Sequence, residues 1–346
     1  MMIFFKDFVR SVFQALKKLR RVLLKLPHAW AERRVNQLEF TPPVARQIFR
    51  HYLGERQVWE EEYIEVVSAY MDDFLRPVWS NFQSSLSQNH IRGANPTKIW
   101  FCWLQGEAAM PSIVAACYHR IRKIFSDVGH YQVTLITSEN WQQFLSLPNY
   151  IGDKVATGKI CPAHFADIIR WGLVARHGGC WFDACDYLTH DDADRYAGKL
   201  GQFSFFTARF PSPASCPGEP SRGKWCNGYF MALPENPVAI FVYTSLLYYW
   251  KHHERPLDYV FLDYILWTGY SKLPELTALL DAIPANNTHF YEFRWHVNEP
   301  YTPEEWQKYM KMCDFQNISY KLVLQEFTPD GTLTNYGHLL RENKAV

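Results

Sequence analysis

Apolar residues recur at steps of three or four through Phe5, Val9, Val12, Leu16, Leu19, Leu23 and Leu26, which predicts one face of a helix. Lys6, Arg10, Lys17 and Arg21 form a second, cationic stripe, and Pro27 ends the pattern. Residues 38–96 read as mostly helical, with a polar linker from Ser84 to Pro96. From Lys98 the pattern changes. Lys98–Leu104 and Tyr131–Thr137 read as buried strands, with a helix opening at Pro111 between them. A short helix is expected from Ser138, and a long one over Pro162–His177 that Gly178-Gly179 stops. Cys180–Cys185 then reads as a short strand.

This alternation predicts an α/β fold with a parallel sheet and a ligand crevice at the C-terminal ends of its strands. Further strands are expected at Gln202–Ala208, Asn227–Leu233 and Ser319–Gln325. Helices are expected from Asn236-Pro237 to His253, over Asp258–Gly269 and near Glu304–Met312. His252 and His253 read as a solvated helix end. Pro211–Gly223, rich in Pro and Ser, reads either as a lid or as a plain surface insertion.

Composition bounds what such a chain can be. With 346 residues and 48% hydrophobic content it can bury a large core. The eight cysteines form no CxxC pair, which argues against a zinc knuckle. No stretch approaches the roughly 18 apolar residues of a spanning helix, and no signal peptide is evident. A cytoplasmic protein is therefore expected. The net charge of +1 argues against nucleic-acid binding. That figure is a cancellation, because residues 1–34 carry nine basic and two acidic groups, or +7, and the rest carries −6. An apolar stripe beside a cationic one suits a helix lying on an anionic membrane through residues 1–26. It also suits a helix docked on the body. The expected organisation is a basic amphipathic helix over 1–36, a helical region and linker over 37–96, and a catalytic domain over 97–346.

The stretch Ala163–Leu188 carries the candidate chemistry. Asp167 and Arg170, three apart on a helix, face one side. The strand after the Gly-Gly turn delivers Asp183 to the same crevice. Hard oxygen ligands of this kind suit Mg²⁺ or Mn²⁺, and Arg with Asp suits sugar hydroxyls and phosphate. An ordinary helix salt bridge is the plainer alternative.

Asp-x-x-Arg, seven residues, Gly-Gly, three residues and Asp resembles the donor site of DxD glycosyltransferases with a GT-A fold. With KIWFCWLQGE and VTLITSENWQQFLSLPNYI, the chain from 98 to about 325 resembles the capsular polysaccharide synthesis family. That family is related to family 32, with the yeast mannosyltransferases, and to the glycosylating clostridial toxins. The resemblance implies a GT-A-like, Rossmann-type sheet flanked by helices, and transfer of a sugar from a nucleotide-sugar donor, a UDP-sugar first among them. The acceptor it implies is a lipid-linked or lipopolysaccharide glycan precursor, at the inner face of the cytoplasmic membrane, with retention the expected outcome. It implies Asp183 as the first Asp of the metal motif, with Mn²⁺ or Mg²⁺ as cofactor and Asp167 and Arg170 on the donor sugar. Trp103 would stack on the nucleobase, Gly106 would admit the ligand to the backbone, Asn227 would lie near donor or acceptor, and Lys321 would pair with the diphosphate. Asp263 would reach the acceptor. For Trp103, Asn227, Lys321 and Asp263 a purely structural role is the alternative. The sequence departs from the motif at Cys185, where a second Asp would stand on the face of 183. Asp186 would join the metal site if the strand turns at its end. The departure keeps two other readings open: a non-catalytic assembly partner, or a glycoside hydrolase using Asp183 and Asp186.

Overall fold

The computed structural model describes residues 36, 39–53, 61–85, 98–126, 128–212 and 219–343. The expected basic helix over 1–36 lies outside them apart from Asn36, as do most of the expected linker and the middle of the Pro-rich loop. Three helices come first: α1 (Pro42–Leu53), α2 (Glu61–Phe74) and α3 (Arg76–Ser85). They share one hydrophobic core with the rest of the chain. Polar contacts fasten them as well. Tyr63 Oη donates to Asp258 Oδ2 at 2.9 Å, and Thr268 Oγ1 donates to Asp72 Oδ1 at 2.8 Å. His253 is buried, with Nε2 2.9 Å from Tyr70 Oη, so it is no solvated helix end.

The body is a mixed α/β unit. Strands β1 (Lys98–Cys102), β2 (Gln132–Ile136) and β3 (Gly179–Phe182) form its parallel part. Helix α4 (Ser112–Ser126) crosses from β1 to β2. A 3-10 turn at Trp141–Gln143, α5 (Asn149–Ala156) and α6 (Pro162–His177) lead to β3. The sheet is not wholly parallel as expected. β5 (Phe205–Thr207) and β6 (Tyr229–Ala232) extend it in the order β2-β1-β3-β6-β5, with β6 antiparallel to both neighbours. The reversal has a local cause: the amide of Asp183, just past the end of β3, donates to the carbonyl of Gly228 at 2.8 Å. β6 therefore starts where β3 stops, and brings Asn227 and Gly228 to the strand tip.

The strand expected over 180–185 ends at Phe182. Residues 183–186 form a turn closed by Asp186 N to Asp183 O at 2.9 Å. A second ribbon follows, β4 (Asp186–Leu188) against β7 (Phe315–Asn317). Between β4 and β7 lie α7 (Ala193–Ala197), α8 (Pro237–His252), α9 (Phe261–Lys272), α10 (Pro274–Asp281) and α11 (Pro303–Met312), and α12 (Asn335–Glu342) ends the described chain. No strand forms over 319–325. Those residues include the apolar run Leu322–Leu324 but meet no partner strand, and Val323 is 78% exposed. Residues 315–317, which pair with β4, are the strand instead.

Helix α6 is apolar on nearly all sides because it is covered on nearly all sides. Trp171 stacks on Phe230 of β6 with centroids 4.2 Å apart, and α8 packs along it. Asp167, Arg170 and His164 are polar exceptions on its buried surface. No helix among the described residues is long and apolar enough to cross a membrane.

Candidate functional site

Arg170 is where the site comes together. Its Nη2 lies 2.7 Å from Asp167 Oδ1, one turn back on α6. Its Nη1 lies 3.1 Å from Asp183 Oδ1 and donates to the carbonyl of Asn227 at 2.6 Å. One guanidinium thus ties a helix, the tip of β3 and the approach to β6. Side-chain exposure of Arg170 and Asp167 is 12% each, so the pair is largely shielded from water. Burial works against the charge on Arg170, but Asp183 and Asp167 outweigh it and hold its pKa above the ordinary value. Burial also pushes the Asp167 carboxyl up, against the pull of Arg170.

The network continues past Arg170. Asn227 Nδ2 donates to Asp263 Oδ1 at 2.7 Å, and Trp225 Nε1 donates to the same oxygen at 2.8 Å. Burial raises the Asp263 carboxyl to about 7 despite those donors. Trp181 Nε1 donates to Asp183 Oδ1 at 2.9 Å. Arg170 Nε and Asn227 Oδ1 are buried without a protein partner.

The turn after β3 brings Asp186 back against Asp183. Asp186 is fully buried, its Oδ2 accepts from the Asp183 amide at 3.2 Å, and its Oδ1 accepts from Asn317 Nδ2 at 2.7 Å. Burial and then the charge of Asp183 raise its carboxyl to about 8. Gly228 leaves room beside the two acids. A Cβ there would stand 3.3 Å from Asp183 Oδ2 and 3.4 Å from Asp186 Oδ2, so both oxygens border one small space. Their hard oxygen donors suit that space to Mg²⁺ or Mn²⁺. Among the described residues no group of three His, Cys, Asp or Glu side chains forms a metal cluster. Burial drives the Cys185 thiol up to about 12, which leaves it a neutral and poor ligand for a hard cation.

Two cavities, of about 430 and 330 Å³, meet at this point. Ala163, Arg170, Asp183, Tyr259 and Asn317 line both. Asp167, Asn227 and Asp263 line the larger one; Trp103 and Lys321 line the smaller. The structure thus gathers seven of the residues singled out from sequence at one place. Asp186 stands behind Asp183 and lines neither cavity. Gly106 has a φ of +85° with open space where a Cβ would point, and it too lies outside both linings. Trp103 Nε1 donates to Ala109 O at 3.2 Å, and its ring meets Tyr320 edge-on at 5.5 Å.

Sequence reasoning missed Trp225, Gly228, Tyr259, Arg294 and Asn317. Arg294 Nη2 donates to Asn317 Oδ1 at 2.5 Å, which fixes the Asn317 amide so that Nδ2 faces Asp186. Asn317 sits 131 positions from Asp186 and carries no local signal of its role. A model of the capsular polysaccharide synthesis protein family matches residues 54–338. No curated protein and no solved structure matches the chain.

Proposed function

Because the chain belongs to the capsular polysaccharide synthesis protein family, we propose that it is a GT-A-type glycosyltransferase. It moves a sugar from a nucleotide-sugar donor to a hydroxyl of a bacterial surface-glycan precursor. The observation that carries this reading is Arg170, bonded to Asp167, Asp183 and the Asn227 carbonyl where two cavities meet. A donor and an acceptor need two chambers that share one reacting centre.

The smaller chamber suits the nucleotide. Trp103 and Tyr320 offer ring faces for the base, and the Lys321 ammonium stands near the shared wall for the diphosphate. Asp183 and Asp186 would hold Mn²⁺ or Mg²⁺, with phosphate and water oxygens completing its shell. Bound there, the ion supplies positive charge to the leaving diphosphate. Arg170 is fixed before any ligand arrives, so its charge meets the phosphates without reorganisation. Asn227 and Asp263 face the larger chamber, where sugar hydroxyls need acceptors and donors. Retention at the transferred carbon is the expected outcome. The +7 segment over residues 1–34 would hold the enzyme against an anionic membrane face, beside a lipid-linked acceptor.

Incubation of the full chain with a panel of nucleotide sugars, with Mn²⁺ and then with a chelator, tests the reading. Divalent-dependent hydrolysis or transfer is expected with at least one donor. Asp183→Ala should lower it by about 100-fold or more. No turnover with any donor, or turnover indifferent to Asp183→Ala, would leave the non-catalytic partner or the hydrolase as the better account.

A further inference from the structure

Tyr259 is 68% exposed, yet it lines both cavities. An aromatic ring that open to water normally sits on a plain surface; this one stands at the junction, with Arg170 and Asp183. It is held from below. His164 packs against the ring at 5.9 Å, and His164 Nε2 lies 3.4 Å from the Tyr259 carbonyl. Lys321 Nζ lies 5.8 Å from the ring centroid and 5.9 Å from that of Tyr320, so the cation marks the edge facing the smaller chamber. The Tyr259 hydroxyl has no protein partner among the described residues.

Of the five side chains common to the two chambers, Tyr259 is the one with an aromatic ring, and Ala163 adds only a methyl group. A diphosphate gathered at Arg170 and Asp183 puts the sugar one bond beyond them, at that same junction. A pyranose has an apolar C–H face and polar edges. An exposed tyrosine matches it with a broad rigid ring and a hydroxyl at its rim. We propose that Tyr259 is the platform on which the transferred pyranose of the nucleotide sugar stacks. The inference rests on the donor reading above and adds a sugar-binding residue to it.

The experiment compares two ligands that differ only in the sugar. Calorimetry with the full chain and Mn²⁺ measures UDP and UDP-glucose, with GDP and GDP-mannose as the second pair. Tyr259→Ala should weaken the sugar nucleotide by roughly tenfold and leave the matching diphosphate within about twofold. Tyr259→Phe, which keeps the ring, should restore most of the loss. Equal weakening of sugar nucleotide and diphosphate would show the ring acting through Lys321 and would overturn the platform. So would unchanged binding of both, or failure of Phe to rescue. Wild-type protein that binds neither pair would remove the donor reading itself, and the platform with it.

Discussion

Asn227 and Asp263 are joined at 2.7 Å, and the carbonyl of the same Asn227 accepts from Arg170 at 2.6 Å. Asp183 and Asp263 are therefore two ends of one hydrogen-bonded chain. That chain runs through the backbone and side chain of Asn227, two residues before β6 begins.

The Asp167–Arg170 pair should behave as a unit. Arg170→Met strands a buried Asp167, and a loss of about 3–5 kcal/mol is expected. Asp167→Asn with Arg170→Met should cost clearly less than the sum of the two single changes. Urea denaturation of the four proteins measures the coupling, and strict additivity would contradict it.

Asp263 should make the unliganded protein weaker at neutral pH than in mild acid. Its folded carboxyl titrates at about 7, above the roughly 3.9 of an unfolded Asp. The favourable term is full below the unfolded value and is lost as pH rises through the folded one. Asp263→Asn keeps an oxygen for Trp225 and Asn227 and removes the titration. Its stability relative to wild type should thus rise between pH 4 and pH 8, by on the order of 4 kcal/mol. Asp258 and Asp186, raised to about 6 and 8, remain in both proteins and cancel in the difference. Thermal melts across that range check the sign.

Gly179 should not tolerate a side chain. Its φ is +106°, and a Cβ would stand 2.4 Å from the Lys98 carbonyl, inside the pairing of β1 with β3. Gly179→Ala should cost several kcal/mol, on the order of 3, or prevent folding. Gly106→Ala is the control: its φ is also positive, but nothing lies within 4 Å, and about 1–2 kcal/mol is expected.

The helical preface should be fastened by Tyr63. Burial raises the Asp258 carboxyl to about 6, and Tyr63 supplies a donor to it. Tyr63→Phe should destabilise the protein by about 1–3 kcal/mol at pH 8 and by less at pH 5, where Asp258 carries its own proton. Melting curves at the two pH values separate this from simple loss of packing.

Much of the site was legible because it is local. Pro162, the Gly-Gly stop and the i, i+3 pair placed α6, Asp167 and Arg170 without help from the rest of the chain. The turn at 183–186 was harder to see, since CWFDAC reads as a continuous strand and only Gly228 across the sheet shows where it ends. The strand expected at 319–325 finds no partner strand, and its own residues do not reveal whether one exists. Asn317, Tyr259 and Trp225 were invisible for the same reason: their roles are defined by what folds against them.

The β4–β7 ribbon also sets an order in time. Asp186 lies in the first half of the ribbon and its amide donor Asn317 in the second, 131 residues later. A chain emerging from the ribosome exposes both acids of the site long before that donor has been made. The acidic corner is therefore completed only once Asn317 has been synthesised, and a chain terminated before it lacks the piece that steadies its carboxylates.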